Sequence, residues 1–318
     1  MGMNILVTGA NGFVGRNIIN RLANNPGLHI IATDLHPSPT YLEPGNPPPN
    51  LTYLNGDLAT KAFNAEVRTK FTYDCIIHLA AILSQAEDMK TYFSVMDSNI
   101  NTTFLLLETA RQHKARFLFP STALVYGNKP APFSESMIPD PEVFYALSKH
   151  MSEELIRFYG NKYALSYVIF RIGVLYGPGQ FGSMFIPSLI TSLLEGKEFA
   201  MTGGKQVRDF LFINDFFDII EKALNHHDIS GVFNLGTGRA PTMKEVAQMA
   251  EELTGVRGKI KLGAISYRAE EVWEYCLDNK KVCQTFQWSP RTTLAEGIAQ
   301  TIRFHQDRMK KAEFAMQA

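Results

Sequence analysis

A short apolar run at residues 4–8 leads into Gly9-Ala10-Asn11-Gly12-Phe13-Val14-Gly15, and a helical pattern follows to about Leu22. Three evenly spaced glycines between a strand and a helix leave few folds open. Gly9 permits a tight turn, Gly12 lets main chain approach a pyrophosphate, and Gly15 lets the helix pack close to the strand. Asn11, Phe13 and Val14 complete the turn and open the helix. Its free N–H groups and positive dipole end suit a phosphate. On its own the pattern fits a purely structural turn equally well.

Its surroundings narrow the choice. Apolar runs recur at residues 29–33, 51–54, 74–79, 116–119 and 166–170, with helical patterns between them, the longest over residues 92–113. Continuous apolar strands separated by helices predict a parallel sheet covered on both faces. The expected fold is therefore α/β: a Rossmann-type doubly wound parallel sheet, followed by a smaller mixed α/β C-terminal lobe. Residues 1–172, with about 209–236, are expected to form the nucleotide-binding domain. Residues of about 173–208 and 237–318 are expected to form the substrate lobe. A loop over residues 37–49 carries Pro47, Pro48 and Pro49, which exclude a helix there.

Asp34 closes the second run, 19 residues past Gly15. A carboxylate at that place accepts hydrogen bonds from the adenosine ribose. It would repel a 2′-phosphate. Leu35 and His36 supply no strong cation, and Arg16 is the nearest guanidinium. The expected cofactor is NAD rather than NADP.

Composition removes other classes. Lys+Arg and Asp+Glu are both 31, so zero net charge gives no bulk attraction to nucleic acid or anionic membrane. The apolar stretch at residues 165–176 is broken by Arg171 and is shorter than the ~20 residues of a membrane span. Three cysteines without a C-x-x-C pair suit a reducing cytoplasm, the expected location. The histidines show no metal spacing, and no metal is expected.

Tyr145 and Lys149 stand four apart at the start of a helical stretch and share one face. Free tyrosine titrates near pH ~10 and is a poor base at neutral pH. A nearby ammonium and an oxidised nicotinamide both favour the phenolate. Tyr145 could then exchange a proton with a substrate hydroxyl, and Lys149 could also hold the nicotinamide ribose. Chance Tyr-x-x-x-Lys pairs are common on helices.

Taken in order, the pieces form a wider pattern. They are the glycine loop, Asp34, Gly56-Asp57-Leu58, His78-Leu79-Ala80-Ala81, Asn99, Ser121-Thr122-Ala123-Leu124-Val125-Tyr126-Gly127, Tyr145 with Lys149, and Tyr176-Gly177-Pro178-Gly179. Gly204 to Phe210, Asn234 to Gly238 and Trp288-Ser289-Pro290 follow. Over nearly its whole length the chain resembles the extended short-chain dehydrogenase/reductase superfamily, in particular its NAD-dependent nucleotide-sugar epimerase/dehydratase family.

The resemblance implies roles by position. Asp57 and Leu58 would contact adenine. Leu79, Ala80, Ala81 and Asn99 would line the cofactor path. Thr122 would be the catalytic hydroxyl beside Tyr145 and Lys149. Ser84 would touch substrate, and Arg208 and Arg268 would hold its diphosphate. Arg208 and Arg268 could instead be structural, paired with neighbouring Asp209 and Glu271. The family's two long helices, here 92–113 and 145–163, would pair with their copies in a homodimer.

Three departures refine the expectation. Family dehydratases carry an acid pair after the catalytic threonine, whereas this chain has Ala123 and Leu124. Val174, preceded by Gly173, replaces a substrate-binding Asn found in many members. A 4-epimerase is therefore expected. The alternatives are a nucleotide-sugar reductase or dehydrogenase, an L-threonine dehydrogenase, which residues 79–84 and 120–122 resemble, and a non-catalytic NAD(H) sensor.

Overall fold

The computed structural model describes residues 2–40, 48–84, 86, 88–268 and 271–317. Positions 41–47 of the proline loop, Pro47 among them, lie outside the described residues. The chain divides into two compact units. The first comprises residues 1–127, 138–171 and 220–233, and the second 128–137, 172–219 and 234–318. Residues 128–137 and 209–219 thus cluster with the second unit, where the sequence reading had placed them with the first.

The first unit is built on β1 (Met3–Thr8), α1 (Phe13–Leu22), β2 (Leu28–Asp34), β3 (Leu51–Asn55), α2 (Lys61–Lys70) and β4 (Cys75–His78). It continues through α3 (Met89–Val95), α4 (Thr102–His113), β5 (Arg116–Thr122), α5 (Phe144–Tyr163) and β6 (Tyr167–Ile172). The sheet has seven strands in the order Gly231–Leu235, β6, β5, β4, β1, β2, β3. β1 pairs in parallel with both β2 and β4, so the chain reverses its direction of travel at β1. Ligands of such sheets bind outside the strand C-termini at that reversal. There lie Thr8, Asp34 and His78.

The core explains why these runs are strands. Ile5, Leu6, Val7, Ile30, Ile31, Ile76, Ile77, Phe117 and Leu118 are fully buried. Side chains of a central strand point to both faces, and helices cover both, so no polar alternation survives. Burying one such side chain contributes about 1.5–3 kcal/mol.

The helix expected over residues 92–113 is interrupted. Met96–Asn101 forms a π-helical turn between α3 and α4, with Thr102 N–H bonded to Asp97 O. Such an extra residue in a helix usually serves a site. Here it carries Asn99.

In the second unit, three short parallel strand pairs accompany the helices Phe185–Leu194, Met243–Thr254, Lys280–Phe286 and Leu294–Gln317. Residues 207–212 form not one strand but two, Val207–Arg208 and Phe210–Phe212. Asp209 sits at the break. Among the described residues, no helix is long and apolar enough to cross a membrane.

Candidate active site

The glycine loop has the geometry its spacing implied. Gly9 has φ +67, and a Cβ there would stand 2.8 Å from Ala80 N. A Cβ on Gly15 would meet Gly9 O at 2.1 Å, which pins α1 against the turn. Gly12 is exposed, and its added Cβ would meet only Gly9 O, at 3.2 Å. Gly12 is also the N-cap of α1, without a side-chain cap and with no acidic residue in the first turn. The helix thus presents an uncapped positive end, with Phe13 and Val14 half-buried beside it. This cradle fits a dinucleotide pyrophosphate.

Asp34 Oδ2 accepts from Asn11 N at 2.9 Å, and Oδ1 from His36 N at 3.0 Å. An ionised carboxylate has about four acceptor positions, so capacity remains for ribose hydroxyls. The Asn11 side chain is engaged with the following loop. It donates to Tyr53 Oη and accepts from Thr40 N and Oγ1. Asp34 excludes a 2′-phosphate by charge, so NADH is expected to bind at least about tenfold tighter than NADPH. A fluorescence titration with both cofactors checks this, and equal affinities would refute it.

The rest of the expected cofactor path is held by hydrogen bonds. Thr8 Oγ1 accepts from Leu79 N and Ala80 N at 3.1 and 3.0 Å, and lies 2.8 Å from His78 Nδ1. With both lone pairs used, the Thr8 proton goes to Nδ1. His78 Nε2 then donates to Thr103 Oγ1 at 3.1 Å, and Thr103 itself donates to Asn99 O. His78 is therefore neutral, in agreement with burial and Lys149 driving its pKa down to about 3. Asn99 accepts from Ile82 N at 2.8 Å and donates to Ser148 Oγ at 2.9 Å. The π turn thus ties the loop after β4 to the helix bearing Tyr145 and Lys149. Thr8 and Thr103 went unremarked in the sequence because a lone threonine carries no local signal.

Not every expected contact residue presents its side chain. Leu58 belongs to the hydrophobic core beside Leu6, Ile31 and Val67. Asp57 is exposed and accepts from Ala59 N at 2.9 Å. Ala81 is exposed, and Ser84, half-buried, accepts from Ala86 N at 3.1 Å.

Thr122 ends β5, and its Oγ1 accepts from Leu124 N at 3.2 Å. That leaves the hydroxyl proton for another acceptor. Ala123 is fully buried and Leu124 half-buried in the 3-10 turn that follows. Tyr145 lies in the first turn of α5 and Lys149 in the second, and α5 packs on β5. Lys149 is 3% exposed, with Nζ 3.8 Å from the centre of the Phe119 ring.

Burial pushes Tyr145 up to about 12. Burial also brings Lys149 down to about 7, with Glu153 pulling the other way. The sequence reading had counted on an ammonium and an oxidised nicotinamide together to favour the phenolate. These side chains hold a neutral phenol, and the phenolate needs more positive charge nearby than they supply.

In the second unit, Arg208 is paired with Glu271 and also donates to Val207 O and Val272 O at 2.8 and 2.6 Å. The structural alternative read from the sequence paired Arg208 with Asp209 and Arg268 with Glu271. Asp209 instead accepts from Thr237, Gly238 and Leu277. Arg268 is exposed, and the two residues after it lie outside the described residues. Among the described residues, no group of His, Cys, Asp or Glu could hold a metal ion.

Residues 5–236 match the model of the NAD dependent epimerase/dehydratase family. A trifunctional UDP-glucose 4,6-dehydratase/UDP-4-keto-6-deoxy-D-glucose 3,5-epimerase/UDP-4-keto-L-rhamnose-reductase of Arabidopsis thaliana is 29% identical over 313 residues. That match covers 95% of this chain and 47% of the plant protein, so the chain spans about half the length of the first such relatives. The UDP-glucose 4-epimerase of Thermotoga maritima, solved with UDP-glucose, is 27% identical with a TM-score of 0.87, covering 96% of this chain and 100% of that one. The UDP-glucuronic acid 4-epimerase of Bacillus cereus, solved with UDP-glucuronic acid and NAD, is 28% identical with a TM-score of 0.86, covering 96% and 100%.

Proposed function

Because the chain belongs to the NAD dependent epimerase/dehydratase family, we propose that it is an NAD-dependent nucleotide-sugar 4-epimerase. The observation that carries the choice is Thr122 followed by Ala123 and Leu124. Neither side chain can move a proton, so the chain brings no acid–base pair there to eliminate water. Oxidation and reduction at one hydroxyl-bearing carbon need only Thr122, Tyr145 and Lys149.

Bound NAD supplies the acceptor and donor for a hydride, and its oxidised ring adds positive charge. Gly9, Gly12, Gly15, the N-terminus of α1 and Asp34 hold it. Tyr145 takes the proton from the sugar 4-hydroxyl and later returns one. Thr122 donates to the sugar oxygen and keeps it in register with Tyr145. Lys149 stabilises the phenolate and binds the nicotinamide ribose. Arg208 and Arg268 take the substrate diphosphate, for which a guanidinium fork is suited. For Arg208, Glu271 occupies the place of an anion until substrate arrives. The smaller Gly173 and Val174 leave the keto-sugar free to turn over.

The test begins by extracting purified protein for bound nucleotide. The protein is then incubated with UDP-glucose, UDP-galactose and their N-acetyl forms without added cofactor. Interconversion of a 4-epimer pair is expected. Absorbance change with L-threonine and NAD, without interconversion, would replace the reading with a dehydrogenase.

The working protein is proposed to be a cytoplasmic homodimer. Leu147, Met151 and Phe158 on α5, Phe104 on α4 and Phe93 on α3 are between 37% and 60% exposed. Large apolar side chains on neighbouring helices suit a self-complementary two-fold interface. Sedimentation at micromolar concentration should give a dimer, and Met151→Glu combined with Phe158→Glu should give a monomer. A wild-type monomer would refute this.

A further inference from the structure

One buried charge cluster beneath the proposed catalytic residues has no part in the reaction as described. Glu153 lies one helical turn beyond Lys149 on α5 and is completely buried. Arg171 of β6 grips it as a fork, Nε at 3.1 Å and Nη2 at 2.7 Å from Oε2. Ser121 Oγ donates to Oε1 at 2.5 Å. Arg171 in turn lies 4.9 Å from the centre of the Tyr126 ring.

The spacing of these contacts matters. Phe119 and Ser121 are two apart on β5 and point to one face, about 6.6 Å apart. Lys149 and Glu153 are four apart on α5 and rise about 6 Å. Phe119 holds Lys149 and Ser121 holds Glu153, so two matched contacts lock the helix to the strand. The next residue of that strand is Thr122. A slip of α5 along β5 would separate Lys149 and Tyr145 from Thr122, and Glu153 is the polar stop against it.

The cluster also sets a charge balance. Lys149 faces His78 from β4, Phe119 from β5, and Tyr145 and Glu153 from its own helix. Of these, His78 is neutral, and Thr8, Thr103 and Asn99 nearby are uncharged. Arg171 and Tyr126 lie beyond Glu153, and His150 Nδ1 is 3.9 Å from it. Glu153 is thus a carboxylate set between two buried basic side chains, Lys149 and Arg171. Burial opposes its charge, but Arg171, Ser121 and His150 keep it below the ordinary carboxylate range.

We propose that Glu153 is a positioning residue for the reaction: held by Arg171 and Ser121, it fixes the register of α5 on β5 and sets a carboxylate one helical turn from Lys149. The proposal rests on Lys149 having the role given above, and its test does not need turnover. Lysine labelled with carbon-13 at Cε reports each ammonium by its shift against pH, and Lys149→Met identifies the signal. In the NAD-free protein, Glu153→Gln should lower the Lys149 midpoint by about one pH unit, since the amide oxygen can still accept from Arg171 and the amide can donate to Ser121 Oγ while the charge goes. Glu153→Asp should keep it within about 0.3 of wild type, and Arg171→Met should leave it unchanged or raise it, because a like charge has gone. An unmoved midpoint in Glu153→Gln, or an equal fall in all three, would overturn the proposal. Should Glu153→Gln fail to fold, a fall in both remaining variants overturns it, and a held Asp variant beside an unlowered Arg171→Met supports it. Where epimerisation is measurable, the alkaline limb of kcat should move to lower pH with the same midpoint. A wild type without turnover of any nucleotide-sugar, yet with the expected midpoints, would sink the epimerase reading and keep Glu153 in its role.

Discussion

Tyr145→Phe should lower kcat by about 10³-fold while leaving NAD affinity within about threefold of wild type. The magnitude follows from the role: one positioned acid–base group is typically worth about 10²–10⁴. Phenylalanine keeps the ring in the first turn of α5 and removes only the oxygen that exchanges the proton. On the proposed reading, cofactor affinity rests on the glycine turn, the end of α1, Asp34 and Lys149, which the change does not touch. Partial burial pushes the pKa of this phenol up to about 12, so the phenolate exists only where positive charge gathers. Lys149→Met should therefore cost at least as much as Tyr145→Phe, and it should also weaken NAD binding. Stopped assays on NAD-loaded protein measure kcat, and NADH fluorescence measures affinity. A Tyr145→Phe enzyme within about tenfold of wild type would remove Tyr145 from the chemistry. Retained biological function without turnover would bring back the sensor reading.

What could be read from the sequence was what is encoded locally. The glycine loop is legible because φ +67 at Gly9 and the 2.1 Å approach to Gly15 admit no side chain, and such needs are written in one residue type. The strands are legible because burial on both faces leaves unbroken apolar runs. Tyr145 and Lys149 are legible because their spacing matches a helix turn. The π turn at Asn99 was not, since an i→i+5 bond has no residue signature and the flanking residues read as plain helix. The partner of Arg208 was not legible for a related reason. Adjacent residues in an extended strand point to opposite faces, so Asp209 could not reach the guanidinium, while Glu271, 63 positions on, could. Glu153 was in plain view, four beyond Lys149, yet its meaning depends on Ser121 and Arg171 from two other strands. Arg171 was noticed only for interrupting an apolar stretch, and that interruption is where the charge cluster is built.

Asp209→Ala should destabilise the second unit by about 3–5 kcal/mol. Asp209 is completely buried. Its Oδ1 accepts from Thr237 N and Thr237 Oγ1, both at 2.7 Å, and its Oδ2 from Gly238 N at 3.1 Å and Leu277 N at 3.3 Å. Three chain segments therefore meet on one carboxylate. Alanine would strand three backbone donors without an acceptor, and each such buried group costs about 1–3 kcal/mol when nothing replaces the bond. The site leaves little room for repair, since a Cβ on Gly236 would already lie 2.4 Å from Oδ2. Asp209→Asn should cost less, about 2 kcal/mol, because one oxygen still accepts while its amide faces N–H groups. Urea unfolding followed by tryptophan emission reads the loss, since Trp273 and Trp288 both lie in this unit. A loss below about 1 kcal/mol for the alanine variant would mean that another acceptor takes over the three donors. The two neighbours of Asp209 show why an acid stands there. Arg208 N–H bonds to Pro241 O and Phe210 pairs with Val174 in the adjoining strand, so the chain must break its ladder between them. A short side chain with two acceptor oxygens gathers the loops that the break leaves open, and it fixes the main chain from which Arg208 projects.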